Sequence, residues 1–250
     1  MNELERSTQE LDIYGFTVVD GVLEEREIER LREALIRCER EVGRETEFLG
    51  AGLMVGNLPT LDPVFFPLID HPRVLPLVEH YLGKSLILGS LNSRAARPGD
   101  PDQQFHSDIP QHILNSVSPA MMNTVWMIDD FFPATGATRV VPGSHRSGCE
   151  QPPEGMDVKH FVQVEAPAGS VLIINGQCWH AAGANKSERD RRAIFAHYRK
   201  SVLLFQYDPQ DGFPAEWYGQ LTERQKELMR MTEGLGTLHP AEMIWRPGNE

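Results

Sequence analysis

The stretch SVLIING at residues 170–176, with His180 following in GQCWHAAGAN (176–185), is the passage on which the fold turns. It is an aliphatic run closed by glycine, the pattern of a short strand buried on both faces. Similar runs lie on either side of it: LILGSLNSRAA at 86–96, TVWMIDDFF at 124–132, TRVVPGSH at 138–145, HFVQVEA at 160–166 and AIFAHYRKSVLLF at 193–205. Turn chemistry separates them, as in RPGDPD (97–102), FPATGAT (132–138), PGSHRSG (142–148) and APAGS (166–170). Many short strands at near-regular spacing predict a mainly β fold of the antiparallel sandwich or jelly-roll type.

The flanks read differently. Residues 11–19 (LDIYGFTVV) suggest a short strand after a turn. Residues 24–42 place Ile28, Leu31, Leu35, Ile36 and Val42 on one stripe of an amphipathic helix, with charges elsewhere. A second helix fits 70–82, with Asp70 as a candidate N-cap and Gly83 as the stop, although Pro72 and Pro76 fall inside it. These helices, within about 24–82, would buttress one sheet. Residues 206–250 mix Pro, Gly and Trp around a charged helix near 222–231 and would cover an edge or a cavity mouth. The absence of repeats, low-complexity tracts and strong linkers predicts one domain over 1–250.

The chemistry is carried by three residues. In FHSDIP, His106 and Asp108 stand two apart, so on a strand both would face one side. His180, just past the 170–176 run, offers a second imidazole. Two imidazoles and one carboxylate on one face of a metal leave the opposite positions open, the 2-His-1-carboxylate triad of non-haem Fe(II) oxygenases. The H-x-D pair alone is weak evidence; the residues after His180 add to it. Arg191, eleven positions on, could pair both oxygens of a dicarboxylate's far end with its planar fork. Arg191, Ala193, Phe195 and His197 share one face of the strand that follows, and Arg192, Ile194, Ala196 and Tyr198 share the other. The alternation leaves open which face is inward. Four other histidines, His112, His145, His160 and His197, read as structural.

Taken together, QFHSD, VWMIDDFFPATGATRVVPGSH and WHAAGANKSERDR resemble the phytanoyl-CoA dioxygenase family, a branch of the Fe(II)/2-oxoglutarate oxygenases. The resemblance covers roughly residues 10–200. It implies a double-stranded β-helix (a cupin-like jelly roll), Fe(II) at His106, Asp108 and His180, and 2-oxoglutarate held by Arg191 with O₂ as the oxidant. It also implies co-substrate contacts from Gln103 or Gln104 and from Thr138, and a pocket-lining place for Trp126, whose alternative is a core aromatic. Family members often carry Gly directly after the distal histidine; Ala181 stands here. Halogenating relatives lack the iron-binding carboxylate, so an intact Asp108 argues for oxygenation. The substrate expected is a small, partly apolar metabolite such as a natural-product intermediate. A metal-binding but non-catalytic jelly roll, and a cupin using another metal without 2-oxoglutarate, are the rival readings.

Composition sets outer bounds. Asp plus Glu number 36 against 24 Lys plus Arg, a formal charge of −12, which argues against nucleic acid and anionic membranes as partners. No apolar run approaches the ~20 residues of a membrane span, and the N-terminus is too acidic for a targeting peptide. Cys38, Cys149 and Cys178 form no C-x-x-C pair and read as free thiols of a cytoplasmic protein. Monomer and homodimer both remain open. Residues 43–62, with four glycines among Phe48, Leu49, Leu53 and Met54, read either as a mobile apolar lid or as a core-packed loop with fixed turns. Residues 206–220 are the other loop where specificity would live.

Overall fold

In a computed structural model of the chain, the structure describes residues 1–45, 52–113 and 118–232. The chain opens with helix α1 (Glu3–Tyr14), started by a reciprocal Asn2–Glu5 capping box and ended by Gly15 at φ 84°. A Cβ at position 15 would lie 2.5 Å from His145 Nδ1, so glycine serves both the turn and the close approach. The strand expected over 11–19 is therefore shorter: β1 is Phe16–Val19, and residues 11–14 finish a helix that buries only Ser7 and Leu11.

Helix α2 (Glu25–Val42) forms where expected, but its buried stripe is Ile28, Leu31, Ala34, Leu35 and Cys38, with Val42 exposed. Strands β2 (Arg44–Glu45) and β3 (Leu53–Val55) follow. Helix α3 is Leu75–Leu82, shorter than the expected 70–82. Pro72 disfavours helical backbone at His71, and the helix begins only once that restriction is past.

The β-rich region contributes β4 (Leu86–Ala96), β5 (Met121–Met127), β6 (Arg139–Val140), β7 (Val162–Gln163), β8 (Val171–Asn175), β9 (His180–Ala181) and β10 (Arg191–Lys200). A six-residue helix, α4 (Glu223–Leu228), closes the described part, capped by Thr222. Seven strands pair in the order β1-β8-β5-β10-β4-β3-β2, and β7-β6-β9 form a second sheet. Every strand pairing is antiparallel, and the result is a jelly roll.

The large sheet buries both faces, which explains why β5 and β8 are buried at every residue. Its outer face sends Trp126, Ile173, Ile194 and Tyr198 into a core shared with Leu31, Leu35, Phe65 and Val78. Its inner face sends Val125, Met127, Leu172, Ile174 and Ala193 against Phe131, Val140 and Cys178. Among the described residues no helix is long and apolar enough to cross a membrane. Within 43–62, β3 is paired to β4 and Leu58 is fully buried, so this part packs into the sheet. Phe48, Leu49 and Gly50, part of the expected lid, lie outside the described residues.

Candidate metal and co-substrate site

His106 and His180 are joined backbone to backbone: His106 N–H donates to the His180 carbonyl (3.1 Å) and His180 N–H to the His106 carbonyl (2.9 Å). That single bridge is the only β pairing in FHSDIP, so the strand expected there is absent. Asp108 is aimed instead by a loop in which its own N–H donates to the Gly176 carbonyl (2.9 Å) and Ser107 N–H to that of Glu150 (2.7 Å). Gly176, directly after β8, thus aims Asp108, and the chain reaches His180 on β9 four residues later.

The donors converge. His180 Nε2 lies 3.2 Å from Asp108 Oδ2, His106 Nε2 lies 3.9 Å from Asp108 Oδ1, and one ligand atom from each residue falls within 4.8 Å of the others. Each Nδ1 lies 3.0 Å from a backbone carbonyl two residues back, Gln104 for His106 and Cys178 for His180. A carbonyl only accepts, so Nδ1 carries the proton and the Nε2 lone pair is left free for a metal. Two neutral nitrogens and a carboxylate oxygen suit a borderline divalent metal such as Fe(II). Burial resists ionisation of Asp108, but His180, His197 and His106 around it hold its carboxyl well below the usual range. Burial lowers His106, whereas at His180 the neighbouring Asp108 outweighs burial and raises it.

A cavity of about 170 Å³ adjoins these donors, with Arg191 and Thr138 in its lining. Arg191 is 3% exposed. Its Nη2 donates to the Gly136 carbonyl (2.8 Å), its guanidinium lies 4.3 Å from the Phe131 ring centre, and its Nε is buried without a partner. Burial, with the charge of Arg94 beside it, lowers its pKa to about 10. A buried guanidinium with an unmet donor fits an anion such as the far carboxylate of 2-oxoglutarate.

The other expected residues divide. Gln103 lines the cavity, its side-chain oxygen accepting from Ala182 N–H (2.9 Å). The Gln104 side chain does not; that residue borders an outer groove and serves His106 through its backbone. Trp126 corrects the expectation of a pocket residue. It pairs with Ile194 on the outer face of the sheet, is fully buried in the helix-side core, and donates Nε1–H to Thr124 Oγ1 (3.1 Å). The structure adds His197, Asn123, Arg94 and Met54 to the lining. His197 shares a strand face with Arg191 in the sequence, but a lone histidine is more often structural, and the alternation leaves the inward face undetermined.

The phytanoyl-CoA dioxygenase (PhyH) family matches residues 11–193. The uncharacterized protein Rv1501 of Mycobacterium tuberculosis is 32% identical over 217 residues, covering 82% of this chain and 78% of its own. The iron/alpha-ketoglutarate-dependent dioxygenase ausO of Aspergillus calidoustus is 29% identical over 210 residues, covering 79% and 69%. HygX from Streptomyces hygroscopicus, solved with nickel, 2-oxoglutarate and hygromycin B, superposes with a TM-score of 0.68 at 19% identity, covering 83% of this chain and 90% of its own. That last likeness is one of fold. With a family match across most of its length laid over a converged His-Asp-His set, the chain belongs to the phytanoyl-CoA dioxygenase family.

Proposed function

We propose that this protein is an Fe(II)- and 2-oxoglutarate-dependent dioxygenase that hydroxylates a small, partly apolar metabolite. The observation that carries the reading is the placing of His106, Asp108 and His180 on the same cavity as the partner-seeking guanidinium of Arg191. When bound, the metal and co-substrate activate O₂, convert 2-oxoglutarate to succinate and CO₂, and deliver the second oxygen atom to a substrate C–H bond.

The chain's own contribution is position and dryness. His106, Asp108 and His180 would hold the metal and supply its protein ligands. Arg191 and Thr138 take the far end of the co-substrate, and Gln103 supports the wall between. Met54, Val125, Ile174 and Phe195 give an apolar lining, while Asn92 and His197 offer polar contacts, which together suit a partly oxygenated metabolite. The fold shared with HygX, a structure holding hygromycin B, supports a natural-product-sized ligand. Asp108 fills the position a halide would need, which favours hydroxylation over halogenation; desaturation or cyclisation would show as a product two hydrogens lighter than the substrate. Gln206 at the cavity wall brings the segment after β10 to the site, in keeping with one catalytic domain. Its three cysteines are free and fit a cytoplasmic enzyme.

The test is an anaerobic titration with Fe(II) and then 2-oxoglutarate, followed through the weak visible charge-transfer band of the chelate. A band saturating at one equivalent of each supports the reading; no band, with metal bound, removes it.

A further inference from the structure

Asn123 lies on β5 with His197 as its register partner on β10, is 2% exposed and lines the cavity. Its side-chain Nδ2 donates to Asp108 Oδ2, while its Oδ1 is buried with no hydrogen-bond partner among the described residues. The amide orientation is chemically determined. A carboxylate oxygen accepts, so the amide nitrogen faces Asp108 and the carbonyl faces away. A buried amide oxygen without a donor is destabilising. An apolar side chain of the same size would avoid that cost, so the retained amide points to work done by its other end.

We infer that Asn123 is a positioning residue for the third metal ligand. By occupying Oδ2, it fixes the rotation of the Asp108 carboxylate and commits it to one-oxygen ligation. A freely rotating carboxylate beside two imidazoles is able to chelate through both oxygens and fill a position that a chelating co-substrate needs. Backbone contacts already fix where Asp108 stands, through its N–H on Gly176. They leave the carboxylate torsion open, and Asn123 is the side-chain amide that closes it. The inference rests on the metal reading proposed above and extends it to a residue outside the ligand set.

Three proteins separate the possibilities: wild type, Asn123→Leu, which keeps the volume and loses the donor, and Asn123→Gln, which keeps an amide donor on a longer arm. Each is titrated anaerobically with Fe(II) alone, then with 2-oxoglutarate, and its metal-free melting temperature is recorded. Supporting contacts of this kind are worth roughly 10–100-fold in metal affinity. Asn123→Leu should bind Fe(II) 10–100-fold more weakly and give a weaker chelate band at saturating metal. Its metal-free melting temperature should stay close to that of wild type, because loss of the unsatisfied carbonyl offsets loss of the donor to Asp108; this distinguishes lost positioning from a damaged fold. Asn123→Gln should recover a measurable part of the affinity. Wild-type affinity and band intensity in Asn123→Leu would overturn the role of Asn123 while leaving the metal site standing. Failure of the wild type to bind Fe(II) would overturn the site itself.

Discussion

Replacing Arg191 tests the co-substrate reading most directly. The guanidinium is almost fully buried, donates to one carbonyl, lies over one aromatic ring, and has no partner for Nε among the described residues. A dicarboxylate would satisfy that donor and neutralise the charge. A charge-assisted pair of this kind is worth about 1.5–3 kcal/mol, or roughly 10–150-fold in affinity. Arg191→Lys keeps the charge but not the fork, so 2-oxoglutarate affinity should fall by one to two powers of ten. The thermal readout follows. At 100 times Kd the co-substrate stabilises by about 2.7 kcal/mol, and after a thirtyfold loss the same concentration is about 3 times Kd and gives about 0.8 kcal/mol. For a protein of this size that is a shift of roughly 5–10 °C shrinking to roughly 2–3 °C. Arg191→Met should abolish the shift without lowering the ligand-free melting temperature, since it removes a desolvated charge. Scanning fluorimetry and calorimetric titration on Fe(II)-loaded protein under nitrogen supply both numbers. A full thermal shift in Arg191→Met would refute the reasoning.

Four further outcomes are expected. Fe(II) binding needs both imidazoles neutral; burial lowers His106, while Asp108 outweighs burial and raises His180. As pH falls, metal affinity should therefore drop first through His180, about tenfold per pH unit, and steepen towards two protons only at the lower pH where His106 also protonates. Trp126→Phe should cost about 1 kcal/mol through its lost hydrogen bond and leave 2-oxoglutarate affinity unchanged, whereas a pocket-lining indole would change it. Cys149 should react readily with an aromatic disulfide reagent at pH 8, while Cys178, whose thiol burial pushes up to about 11, and buried Cys38 should label only on unfolding. Hydrogen exchange at Leu53–Val55, paired in the sheet, should be slow with and without co-substrate; fast exchange relieved by ligand would restore the lid reading there.

The jelly roll was legible because turn chemistry between aliphatic runs is local. The ligand set was legible as residue types, but the reason for its geometry was not. Asp108 is aimed by a hydrogen bond to Gly176, a contact between distant segments that no spacing rule encodes. The inward face of β10 was undetermined for a related reason. Both faces are buried, with Ala193 on one side and Ile194, Ala196 and Tyr198 on the other, so polarity does not alternate. The decisive fact is that Arg192 pairs with Glu39 on α2, a helix-side partner that assigns Arg192 outward and Arg191 inward. Trp126 follows from the same parity, since it pairs with Ile194 and not with Ala193.

The backbone bridge between His106 and His180 has a consequence for assembly. Bringing two such distant positions together closes a long loop, and the entropy of that closure is met during folding by peptide hydrogen bonds and sheet pairing. An ion arriving later finds its receptor already built. Unlike a zinc finger, whose chain collapses only around its metal, this protein should fold at full rate in the presence of a chelator and take up its ion afterwards, so that the cell can exchange a wrong ion for the right one without unfolding the enzyme.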